Sequence, residues 1–245
     1  MYVVCCAVID VAFVVDSSLK AQGQAAWTQM ISFVSRVFDL LLISRQAVRV
    51  SFVRYGDQAS VEFRLSEYFN RHSAKQRVAG ISYLGNAGSN LPDALDALRN
   101  QVFQTNAGAR FMAPWVAVIV TDRSPTIRAQ ELVTVASQVR AAGIQIIPVG
   151  VLARQLDRNI LTQIAYAQTR LTTVSDYSQL AGVASQISNW ICVSTVGKIA
   201  VPWSQCRPTY VRQSYFKQLK HIRLTESLNL QFRSRDSNNN ESQSQ

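Results

Sequence analysis

The chain has 245 residues, 48% of them hydrophobic and only 16% charged, with a formal charge of +10. That length and apolar content suffice for a buried core in one large domain or two small ones, and they exclude a wholly disordered chain. The positive excess is uneven, with 17 Lys/Arg against 12 Asp/Glu in residues 1–192 and 8 against 3 in residues 193–245. A basic C-terminal stretch of this kind attracts nucleic acid, anionic lipid or sulfated polysaccharide, or stays a solvated tail. No apolar run reaches the roughly 18 residues of a membrane span. Asp10 and Asp16 interrupt the first apolar stretch, and no basic leader with a small-residue cleavage site precedes it, so no secretory signal is read. Cys5, Cys6, Cys192 and Cys206 form no C-x-x-C pair, so a zinc site is not expected.

Asp10–Val15 is a short apolar run ending at Asp16, as expected of a buried parallel strand. Trp27, Met30, Ile31, Val34, Val37, Phe38 and Leu41 then recur on one face of an amphipathic helix. Residues 47–53 and 60–65 are β-rich and separated by Tyr55-Gly56-Asp57, which predicts a strand pair joined by a turn. A short helix is expected over 73–79, and a Gly/Asn/Ser loop over 83–90. Leu91, Leu95, Leu98 and Val102 mark the next helix, with Pro92 tolerated in its first turn. Trp115–Val120 is the most apolar strand and ends in Thr121-Asp122. A helix over 129–142, a strand over 144–149, a helix over 157–167 and a short strand over 171–174 follow. Leu180, Val183, Ala184, Ile187 and Ile191 share a face of the last helix. Beyond Cys192 the periodicity stops. Residues 210–230 have the composition of a transient basic helix, and 234–245, rich in Ser, Asn and Gln, should be disordered.

Strands that alternate with helices predict an α/β, doubly wound fold. The central sheet is mostly parallel, with one antiparallel edge strand and helices on both faces. Such sheets bind ligands beyond the carboxyl ends of their strands, at a topological switch point. Asp16 and Asp122 both fall there. Three loops therefore converge: Asp16 to Lys20, Gly88 to Asn90, and Thr121 to Ser124. Their short oxygen side chains suit a hard cation such as Mg²⁺, which takes about six oxygens.

The segment Asp10-Val-Ala-Phe-Val-Val-Asp16-Ser-Ser18 resembles the first strand and metal-site loop of von Willebrand factor A (VWA) domains. Val48 to Gly56, Glu62 to Leu65, Val118 to Asp122, Ile164-Ala165 and Thr173 to Leu180 match the same family in order and spacing, over about residues 7–192. Within the family the chain most resembles the collagen VI modules. The resemblance implies a VWA domain over 7–192, a basic tail over 193–245, and a non-enzymatic protein-interaction module of extracellular-matrix or adhesion type. It also implies a metal-ion-dependent adhesion site carried by Asp16, Ser18, Ser89 and Asp122. Ser89 stands where the family has Thr, and keeps a hydroxyl. Lys20 stands where the family has its second Ser. An ammonium has no acceptor and cannot ligate a cation, and it repels one at close range. Arg123, in place of the usual Gly, adds charge. The site is therefore expected to be degenerate, with Lys20 paired to Asp16 or Asp122 and with no cofactor beyond a weakly held Mg²⁺. Asp16 and Asp122 could instead serve only to cap the helices that follow them. Some family members link the ends of the domain, which implies that Cys192 pairs with Cys5 or Cys6 if the chain is oxidised.

His72 and His221 have no obvious partners, and no phosphate loop or nucleophile-elbow motif occurs. Trp27, Trp115 and Trp190 are expected in packing. Asn240-Glu241-Ser242 is a glycosylation sequon with meaning only in a secreted chain. Partners are expected to be other proteins, chiefly matrix components, with no small-molecule substrate and no specific nucleic acid. The location implied by the resemblance is the extracellular matrix. The alternative, if the chain is complete as given, is a truncated or gene-decay product acting as a metal-independent intracellular scaffold.

Overall fold

The computed structural model describes Cys5, residues 7–18 and residues 23–194. The expectations for Cys6, Lys20, Cys206, His221, Asn240 and the tail fall outside those residues. Six strands form one sheet in the order β3-β2-β1-β4-β5-β6. They are β1 Ile9–Asp16, β2 Val48–Tyr55, β3 Ala59–Phe63, β4 Trp115–Arg123, β5 Ile144–Gln155 and β6 Thr172–Val174. Every neighbouring pair is parallel except β2 with β3, which are antiparallel. The order reverses between β1 and β4, the two central strands, and this places the switch point beyond Asp16 and Asp122.

The alternation of side chains along β1 divides the core in two. Ile9, Val11, Phe13 and Val15 pack under the helices α1 Gln24–Asp39, α2 Arg71–Ala79 and α6 Leu180–Val193. Ala12 and Val14 face α3 Leu91–Ala97, α4 Leu132–Ala141 and α5 Arg158–Ile164. Both faces of β1 are covered, which is why its whole run is buried and apolar apart from the two aspartates. Phe13 meets Phe38 of α1 edge-to-face at 5.2 Å between ring centroids, a geometry that aromatic quadrupoles favour. Trp27 is buried against α2's end, with Nε1–H donated to the Ile81 carbonyl at 3.0 Å.

Several elements depart from the sequence expectation. α1 stops at Asp39, and Leu41 instead bridges Cys5 in a short parallel pairing. α2 begins two residues early because the Asn70 side chain caps it, accepting from Ser73 N at 2.9 Å. The helix from Leu91 passes into a π-helical turn over Leu98–Val102. β5 runs six residues past Val149, and β4 pairs with it irregularly between Thr121 and Arg123.

At the amino edge of the sheet Asp10 is fully buried. Its carboxylate accepts from Arg110 Nε at 2.8 Å and from Arg110 N at 2.6 Å. The same guanidinium donates to the carbonyls of Ile9, Gln46 and Ala47. One side chain thus closes the starts of β1 and β2 over a buried charge. At this edge also, Cys5 and Cys192 form a disulfide that joins the chain before β1 to α6, with Cα atoms 5.6 Å apart.

Candidate functional site

Asp16 ends β1 at the carboxyl edge and is fully buried. Its Oδ1 accepts from the backbone N–H of Ser18 at 2.8 Å. Its Oδ2 accepts from the hydroxyls of Thr121 at 3.1 Å and Ser89 at 3.3 Å. One carboxylate therefore ties all three expected loops together. Asp16 does not cap α1, whose N-cap is Gly23 without a side-chain bond. Asp122, 8% exposed, accepts a hydrogen bond from the Tyr177 hydroxyl and does not cap α4.

Backbone geometry fixes the second loop against the other two. Leu84 N donates to Ser17 Oγ at 2.8 Å, and Tyr83 donates its hydroxyl to the Ser18 carbonyl at 3.2 Å. Ser89 N donates to Thr126 Oγ1 at 2.9 Å, and Arg123 Nη1 donates to the Ala87 carbonyl at 2.7 Å. Asp57, just past β2, takes the N–H of Gly88 at 2.7 Å and the side-chain amide of Asn86 at 3.2 Å. A Cβ on Gly88 would lie 2.4 Å from both Asp57 Oδ1 and Ile127 Cδ1, so only glycine lets these loops approach so closely.

Sequence reasoning placed Asp16, Ser18, Ser89 and Asp122 at this edge, and the fold brings all four there. It missed Asp57, read only as part of a turn, and Tyr177, quoted only as part of a family match. It also missed the role of Thr121. Ser18 Oγ is buried and has no hydrogen-bond partner among the described residues, so it is an oxygen without an internal task. Two carboxylates and the hydroxyls of Ser18, Ser89 and Thr121 are the kind of donors a hard dication takes. His72 is exposed, away from this cluster.

Burial holds the Tyr55 phenol well above the usual tyrosine range, and the negative charge of Asp16 pushes it the same way. The Tyr177 phenol is likewise raised, by burial and then by its hydrogen bond to Asp122. Both groups bind their protons more tightly folded than unfolded. Their contribution to stability is complete below the ordinary tyrosine value of 10.0 and is lost as pH rises through the raised folded values. Alkaline titration followed by phenolate absorbance should show two tyrosines lagging the rest, with the denaturation midpoint falling in the same range. Simultaneous titration of all tyrosines in the native protein would contradict this.

The model of the von Willebrand factor type A domain family matches residues 10–186. Matrilin-3 of Mus musculus is 36% identical over 146 residues, which cover 58% of this chain and 29% of that protein. The collagen alpha-1(XII) chain of Notophthalmus viridescens is 25% identical over 190 residues, covering 77% and 20% respectively. The chain thus spans less than a third of the length of these relatives. Among solved structures, proximal thread matrix protein 1 from the mussel byssus, with a zinc-occupied MIDAS motif, superposes with a TM-score of 0.73 at 16% identity. That alignment covers 77% of this chain and 49% of the other. These relatives include a matrilin and a collagen XII chain, where the sequence alone suggested collagen VI modules.

Proposed function

The chain belongs to the von Willebrand factor type A domain family, and we propose that it is a non-enzymatic module that binds other proteins of the extracellular matrix. The observation that carries this reading is the convergence of three loops on Asp16 at the carboxyl edge of β1 and β4. The polar groups there hold the loops to one another and present a fixed surface, as a recognition site requires. The likeness to a matrilin, a collagen chain and a byssal matrix protein supports a matrix role. The Cys5–Cys192 disulfide supports an oxidising compartment over the intracellular scaffold reading.

The adhesion site is degenerate in this proposal. Asp16, Ser18, Ser89 and Asp122 would hold a divalent cation, which would offer an open position to a partner's carboxylate. Lys20 puts an ammonium where the family has a hydroxyl. Isothermal titration of the full chain with Mn²⁺ should give no one-to-one signal in the micromolar range. Lys20→Ser should create or strengthen one, because it restores the missing oxygen. A micromolar site in the unaltered protein would refute the degenerate reading. The matrix reading is tested separately, by secretion from cells expressing the full-length gene and by a glycan on Asn240. Retention in the cytosol with Asn240 unmodified would remove it.

A further inference from the structure

Both carboxylates at the carboxyl edge of the sheet are already supplied with donors by the fold. Asp16 takes the Ser18 N–H and the hydroxyls of Thr121 and Ser89. Asp122 takes the hydroxyl of Tyr177. A buried carboxylate is tolerated only where donors or opposite charge face it, and here protons do what a cation would otherwise do. These donors differ in what they leave for a cation. A serine or threonine hydroxyl can donate to Asp16 and still offer a lone pair to a metal ion. A neutral phenol is not among the usual oxygen ligands of Mg²⁺ or Ca²⁺. It takes up an acceptor position of Asp122 and offers no good ligand in return.

Tyr177 is also held where it is. It is 1% exposed and opens a short 3-10 turn over Tyr177–Gln179. Its ring belongs to the core that packs under α1 and α6. The turn is fixed by Asp176, whose side chain accepts from Ser178 N at 2.8 Å and whose carbonyl accepts from Gln179 N at 3.2 Å. The phenol therefore cannot swing into water as an exposed tyrosine does. The charges of both Asp122 and Asp16 act on it, so it stands in the field that would draw a cation in.

We propose that Tyr177 is a positioning residue that closes this edge to divalent cations by holding Asp122 in a metal-free, hydrogen-bonded state. The proposal rests on the degenerate-site reading above and adds a second obstacle to Lys20. Lys20 belongs to the first loop, whereas Tyr177 is built into the core. Replacing Lys20 alone therefore leaves the site partly closed.

The test is Mn²⁺ titration of the full chain in four forms: the parent, Lys20→Ser, Tyr177→Phe, and both substitutions together. Tyr177→Phe keeps the ring, and circular dichroism checks that each form is folded. The double variant should bind Mn²⁺ about tenfold or more tighter than Lys20→Ser, the usual weight of a hydrogen bond to a charged group. Its melting temperature should rise with added Mn²⁺, as for any ligand that binds only the folded state. A mere packing defect would lower the melting temperature and give no such rise. Equal affinity in Lys20→Ser and the double variant would overturn the proposal. Weaker binding in the double variant would also overturn it, and would assign Tyr177 the opposite role of orienting Asp122 as a ligand. No binding in the double variant would show that these two groups are not what closes the edge. A micromolar site in the parent would refute the degenerate reading alone. Tyr177 would then be judged by Tyr177→Phe against the parent, where the same tightening is expected and its absence would overturn the proposal.

Discussion

Arg110→Ala should destabilise the domain by about 3–5 kcal/mol, the usual consequence of removing one partner from a buried ion pair. Asp10 has no exposure to water, so its carboxylate cannot recover the lost interaction by hydration. The carbonyls of Ile9, Gln46 and Ala47 lose a donor in the same substitution. The pH dependence tells these two costs apart. In the intact protein, burial holds the Asp10 carboxyl above its ordinary value of 3.8, while the charge of Arg110 draws it down. Without Arg110 the upward push of burial is opposed only by the weaker pull of the Arg49 charge. The folded state then keeps its proton to higher pH than the unfolded chain, and stability falls as pH rises through that window. Chemical denaturation should therefore show Arg110→Ala closer to the unaltered protein in mildly acidic buffer than at neutral pH. Adding Asp10→Asn to Arg110→Ala should flatten that pH dependence. A pH-independent deficit would assign the whole loss to the carbonyls.

Breaking the disulfide should have a comparable effect. Cys192→Ala is expected to cost about 2–5 kcal/mol, because the bond restrains a long loop in the unfolded chain. The two cysteines lie 187 residues apart, so the closed loop takes in nearly all of the described domain. Both cysteines are buried, so the substitution removes little packing beyond the sulfur itself. Denaturation midpoints for the oxidised protein and for Cys192→Ala give the difference directly, and non-reducing peptide mapping should recover Cys5 joined to Cys192. A variant as stable as the oxidised parent would show that the link carries no thermodynamic weight.

The strands near the middle of the sheet were legible in the sequence because burial on both faces leaves a plain signal. β1 and β4 read as continuous apolar runs, and Asp16 and Asp122 at or near their carboxyl ends pointed to the site. The extension of β5 was not legible in full: the apolar run continues past Gly150 through Val151, Leu152 and Ala153, but nothing local states that pairing with β4 resumes at Gln155. The π-helical turn after α3 has no marker in its residues either. At the site, the four expected side chains followed from family spacing. The partners that hold them did not, since Thr121 lies 105 residues from Asp16 and Tyr177 lies 55 from Asp122. Asp10 was read only as an interruption of a hydrophobic run. Its partner, 100 residues away, is what makes a charge tolerable inside that strand.

The Cys5–Cys192 bond also decides how the domain answers a pull. Tension entering through one flank and leaving through the other would pass between two Cα atoms 5.6 Å apart, along covalent bonds. The hydrogen bonds between β1 and its neighbours would lie outside the line of force. Without the bond, the same pull could unravel 187 residues, roughly 600–670 Å of extended chain. With it, the domain would behave as an inextensible link, and any lengthening under load would have to come from segments on either side.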